Sequence, residues 1–153
     1  MTSLGDYFPE EDREKYVDRG LKSGQVLYLF CEFTHPPKDK YLLLACYTDP
    51  PLLFVVNSQI PRFVQARPEL LASQVKLSPR DYPFLEHDSF LDCSNVINSL
   101  DEDAIRNQLL ADLSRLKGEV HQRTKAQIIE AVRRSRTVSE ADRELIVHSL
   151  GSK

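Results

Sequence analysis

Residues able to move protons and hold phosphates gather at two places in the first half of the chain. One is the polar segment Thr34-His35-Pro36-Pro37-Lys38-Asp39-Lys40; the other is Asn57-Ser58-Gln59, with Arg62 shortly after it. A histidine takes or gives a proton near neutral pH, a guanidinium grips phosphate oxygens with paired N–H groups, and a lysine adds positive charge. His35, Arg62 and Lys40 are therefore the candidate catalytic set, able to exchange a proton beside a bound phosphate, with Lys38, Asn57, Ser58 and Gln59 as candidate substrate-binding residues. A histidine beside two prolines in a hairpin loop also has a plain solvated reading.

Other groupings are weaker. His87-Asp88-Ser89 has the residue types of a nucleophilic triad, but neighbours on a strand point to opposite faces, and local capping explains them more simply. A metal site of His87, Asp88 and His121 would need separate segments to converge, so no metal or other cofactor is expected. Arg133, Arg134 and Arg136, with Arg123 and Lys125 upstream, form the one dense positive patch. It suits nucleic acid or an acidic partner, although cations at a helix C-terminus also meet the negative end of the helix dipole. The patch holds no aromatic residue for base stacking.

The elements that must position these residues are legible as changes of pattern. A short amphipathic helix is expected from about Glu10 to Arg19, with Pro9 at its start, Gly20 as its stop, and Tyr7 and Phe8 apolar enough to dock. Three strand-like runs follow, Gln25 to Phe33, Tyr41 to Tyr47 and Leu52 to Asn57, separated by turn segments with no helical pattern between them. Such spacing predicts an antiparallel meander that forms a small barrel or a rolled sheet. Prolines punctuate 58–83, where Gln74 to Leu77 alternates as a short strand, and Ser89 to Ile97 is expected to be the last long strand. Helical signals then take over: Ser99-x-x-Glu102 opens a helix ending near Gly118, and Thr124-x-x-Gln127 and Ser139-x-x-Asp142 open two more.

With 153 residues, 41% apolar and 28% charged, the chain has the make-up of one folded domain: an arm at 1–23, a barrel at 24–98 and a helical region at 99–150. A net charge of −3 gives no global attraction to phosphate polymers, so RNA binding would rest on a local patch. Cys31, Cys46 and Cys93 lack ligand spacing and are expected to be buried thiols. No leader or membrane-length apolar run is present, which predicts a cytoplasmic protein.

The succession Gly24-Gln25-Val26, polar loop 34–40, Val55-Val56-Asn57-Ser58-Gln59, Asp92-Cys93-Ser94-Asn95 and Lys117-Gly118-Glu119-Val120 resembles the MazF/PemK toxin family over about Gly24 to Val132. The resemblance implies an α+β fold with an SH3-like antiparallel β-barrel and C-terminal helices. It also implies a metal-independent endoribonuclease, an antitoxin-like protein partner and a homodimer. Family members usually open with Gly-Asp-Ile and carry Arg-Pro at the second strand. Here Gly24-Gln25-Val26 and Lys40-Tyr41 stand there, keeping a cation and losing the proline. The Arg and Asp that family members place around a late-strand Cys are not retained, and Asp92 is the one carboxylate in that stretch. The departures support a second expectation, a catalytically inactive member of the fold that binds protein or nucleic acid.

Overall fold

In a computed structural model, residues 9–152 are described; the docking expected of Tyr7 and Phe8 lies outside them. The elements in chain order are α1 (Glu10–Gly20), β1 (Gln25–Cys31), β2 (Lys38–Cys46), β3 (Leu52–Asn57), α2 (Arg62–Gln65), α3 (Pro68–Leu71), β4 (Gln74–Leu77), β5 (Ser89–Asp92), α4 (Glu102–Ala111), a 3-10 turn (Leu113–Arg115), β6 (Leu116–Glu119), α5 (Gln122–Arg134) and α6 (Glu140–Gly151). The strands form one antiparallel sheet in the order β4-β5-β3-β2-β1-β6, curled into a half-barrel. β1, β2 and β3 make the expected meander. Closure does not follow: β4 and β6 remain separate edges.

Both faces of the central strands are buried, which explains their nearly continuous apolar runs. Leu27, Leu29, Leu42, Leu44 and Leu53 pack with Val17 and Leu21 of α1 and with Ile105 and Leu109 of α4. Val26, Leu43, Ala45 and Phe54 turn the other way and pack with Ile128 and Val132 of α5 and Ile146 and Leu150 of α6. The sheet is thus the middle of three layers. Arg143 ties the last two helices together, its guanidinium donating to the carbonyls of Val132, Ser135 and Val138 at 3.2, 2.7 and 3.1 Å.

Several boundaries depart from the expected ones. β2 begins three residues early, at Lys38, because the turn is shorter and its polar residues extend the ladder opposite Cys31 and Phe30. The late strand stops at Asp92, whose carboxylate accepts from the Ser94 N–H and turns the chain; Ile97 returns to the sheet as a single bridge to Leu53. Asp101, not Ser99, caps α4, accepting from the Ala104 N–H. That helix ends at Ala111 and not near Gly118, since the Asp112 side chain accepts from the Ser114 N–H and diverts the chain into β6. α5 begins at Gln122, two residues before Thr124, while the Ser139 cap stands as expected. The proline-rich stretch supplies the two helical turns α2 and α3 before β4.

Lys125 is the one charged residue in the buried interior among the described residues, 6% exposed, and Glu119 accepts a hydrogen bond from its ammonium. Glu119 also pairs with Lys22 at 2.8 Å. Gly24 makes room for this: its φ is +95°, and a Cβ there would stand 2.7 Å from the Lys125 stem. The Lys125 hydrogen bond, then that of Lys22, hold the Glu119 carboxyl below its ordinary range, although desolvation opposes them. The stabilisation is therefore complete above the ordinary glutamate value and fades as pH falls through the lowered one. Glu119→Gln is expected to cost roughly 1–3 kcal/mol near neutrality, discounted for the exposed third of the Glu119 side chain. Denaturant unfolding at pH 7 and near pH 3 should show the gap between variant and parent narrow in acid.

Candidate nucleic-acid interface

The helices that cover the sheet stop short of the first residues of β2. Strand alternation places Asp39 and Tyr41 on the face of β1 that carries Phe30 and Tyr28, their cross-strand partners. The segment Leu85-Glu86-His87 crosses in front, leaving a cavity of about 330 Å³ that Val56, Ser58, Ser89, Lys38 and Lys40 also border. Its floor is aromatic: the rings of Tyr28 and Tyr41 are 4.6 Å apart, and Phe84 lies 5.2 Å beyond Tyr41. Tyr82 and His121 extend the row at 6.1 and 4.9 Å.

The inner end of this row is structural. The Tyr82 hydroxyl accepts from the His121 N–H at 3.0 Å and shares a hydrogen bond with the Thr124 hydroxyl at 2.6 Å, anchoring the first turn of α5. The outer end is flanked by cations. The Arg115 guanidinium carbon and the Lys117 ammonium each stand 5.7 Å from the Tyr28 ring centroid, within cation–π range. Arg115 is fixed there by donating to the Tyr28 carbonyl at 2.7 Å and to the Asp39 carboxylate at 3.0 Å. Burial, then Tyr28 and Glu86, push the Tyr41 phenol above its ordinary value, so it stays a neutral donor to the Phe84 carbonyl, 3.3 Å away. Rings partly open to solvent beside cations are what a strand of unpaired bases and phosphates requires.

The expected site residues are divided by this geometry. Lys38, Lys40 and Ser58 border the groove. The Lys40 side chain, however, turns to the opposite face, where its ammonium donates to the Asn57 Oδ1 at 2.8 Å. Burial first, then the like charge of Lys38, hold Lys40 below the usual lysine range. His35 lies exposed in the turn before β2, Gln59 is exposed beyond β3, and Arg62 opens α2 in solvent; none of the three borders the groove. Arg133 and Arg134 end α5, Arg134 pairing with Glu130 at 2.7 Å, and Arg136 follows in the link to α6. They belong to a separate surface.

The sequence reading missed Tyr28, Tyr41, Phe84, Arg115, Lys117 and His87. Tyr28 and Tyr41 had a usable signal, since pairing the first two strands sets them opposite each other. Arg115 and Lys117 had none, because their stretch carried helical periodicity. His87 points its Nδ1 toward the Asp88 carbonyl at 2.9 Å. The three cysteines are buried and unbridged, and burial pushes the Cys93 thiol well above its usual value. Among the described residues, no helix is long and apolar enough to cross a membrane.

Removing the neighbouring charge should return Lys40 toward ordinary behaviour. In Lys38→Gln, the NMR titration midpoint of the Lys40 amine is expected to rise; an unchanged midpoint would show that burial alone sets it. No protein-family model matches this sequence, and no curated protein is similar to it at a significant level. The groove's own geometry therefore carries the functional argument.

Proposed function

We propose that this protein binds single-stranded RNA in the groove between β2 and Leu85-Glu86-His87, as a MazF/PemK-like, toxin–antitoxin-type protein built on an SH3-like barrel and working in the cytoplasm. The supporting observation is the ring row Tyr28–Tyr41–Phe84 with Arg115 fixed, and Lys117 standing, over its outer end. Bases stack on the accessible ring faces while the cations neutralise phosphates, which gives affinity without sequence readout. An antitoxin-like protein partner and a homodimer belong to the same reading.

Cleavage in this groove would need a base for the 2′-hydroxyl proton, an acid for the leaving oxygen and cations for the phosphate charge. His87 supplies an imidazole at the rim, and Lys38 and Arg115 supply charge. The separation of His35 and Arg62 from the groove favours the other form of the proposal, a catalytically inactive binding module.

Fluorescence anisotropy with a twelve-nucleotide single-stranded RNA tests the binding claim. Tyr28→Ala and Tyr41→Ala are each expected to weaken binding about five- to hundredfold, the cost of one lost base–aromatic stack. Parent-like affinity in both variants would sink it. Single-turnover incubation of a long RNA with chelator present separates the two forms. Cleavage abolished by His87→Ala supports the endoribonuclease, and binding without cleavage supports the module.

A further inference from the structure

The two edges of the sheet are finished differently. On the β1 side, β6 pairs with a register shift between Val26 and Leu27, and Gly118 at φ +121° bends it. Beyond β6, Arg115 takes the Tyr28 carbonyl, and the Gln108 side-chain amide accepts from the Phe30 N–H at 2.7 Å and donates to its carbonyl at 3.3 Å. That stretch of β1 is closed to another strand. β4 is short and carries Lys76, but no side chain bonds its outward backbone groups among the described residues. It pairs with β5 in unbroken register from Gln74 to Leu77, and the Cys93 N–H donates to the Ser73 carbonyl at 3.0 Å. Positions 73, 75 and 77 therefore hold the hydrogen-bonded pairs, and the N–H and C=O groups of Gln74 and Lys76 face outward. Among the described residues nothing bonds to them, and the Gln74 Oε1 is buried without a partner.

Beside this open edge, between β4 and α5, lies a cavity of about 520 Å³. Ala126 and Ala131 keep it wide, and Lys76, Arg123 and Arg134 border it against one carboxylate, Glu130. Each cation touches an acid already: Lys76 meets Asp88 at 3.3 Å, Arg123 meets Asp81 at 3.2 Å, and Arg134 meets Glu130 at 2.7 Å. The cations are 62, 75 and 69% exposed, so these pairs are weak and exchangeable. Arg123 and Arg134 are eleven positions apart on α5. That is about 16 Å of helix, the reach of about five residues of extended chain.

We propose that the β4 edge and the α5 groove accept an extended peptide from another protein as a seventh strand, one carrying an aliphatic side chain flanked at alternate positions by carboxylates. The main chain bonds Gln74 and Lys76, the aliphatic group enters over Ala126 and Ala131, and the carboxylates meet Arg123 and Arg134. This surface is separate from the aromatic groove, and its occupancy does not depend on RNA.

The test uses the full chain and a fluorescein-labelled Thr-Glu-Thr-Val-Thr-Glu-Thr peptide, with a control in which lysine replaces glutamate. Saturable binding of the acidic peptide and slower hydrogen exchange of the Gln74 and Lys76 amides on binding are expected. Lys76→Pro removes an outward donor that no internal ladder uses and should weaken binding about three- to tenfold. Arg123→Glu/Arg134→Glu, which leaves the edge intact, should weaken the acidic peptide and favour the lysine control. No saturable binding, equal binding to Lys76→Pro with native circular dichroism, or preference of the parent for the lysine control would overturn the proposal. So would a peptide-free dimer in sedimentation that Lys76→Pro dissolves, because the edge would then belong to a second copy.

Discussion

The structure depends on keeping both faces of β2 dry. Leu42 to Cys46 are all buried, with Leu42 and Leu44 turned toward α1 and α4, and Leu43 and Ala45 toward α5 and α6. Full burial of one such leucine stabilises by roughly 1.5–3 kcal/mol, so neither helical layer can be dispensed with. The chain answers by sending its N-terminal helix and α4 to one side and its last two helices to the other. Arg106 of α4 pairs with Asp18 of α1, so the first cover is itself cross-linked.

Where that double cover runs out, polarity changes. The first four residues of β2, Lys38, Asp39, Lys40 and Tyr41, are exposed or half-buried, and the groove forms there. Arg115 joins the two themes: one guanidinium satisfies the β1 carbonyl that β6 leaves free and stands over the Tyr28 ring. A residue required for finishing a sheet edge thus also supplies charge to the aromatic floor. The opposite end of the ring row works similarly, with the Tyr82 hydroxyl holding α5 while its ring extends the aromatic surface.

Much of the core was legible before any coordinates. The meander, the β4 span Gln74–Leu77, the N-terminal helix and the Ser139 cap follow from apolar runs, alternation and capping chemistry. The continuous run Leu42-Leu43-Leu44-Ala45 was harder to place, since a barrel interior and a sheet covered on both faces produce the same string. β6 escaped notice because Leu113 and Leu116 continue the helical spacing of α4, while the decisive event is the Asp112 carboxylate accepting from the Ser114 N–H. The site was legible only in fragments. Lys38, Lys40 and Ser58 border the groove, but His35 and Arg62 share only a sequence proximity to strand ends and do not border it. The aromatic row draws on β1, β2, the loop before β5 and the start of α5, a convergence that depends on tertiary packing.

The Arg143 guanidinium, which reaches from α6 to one carbonyl in the last turn of α5 and two in the link between the helices, has a mechanical meaning. Lifting α6 from the sheet would expose those acceptors and the buried Val138 together, so the last helix has no inexpensive way to swing out alone. α5, the link and α6 are thus bound into one cover over that face of the sheet, so uncovering the core there means removing all three together.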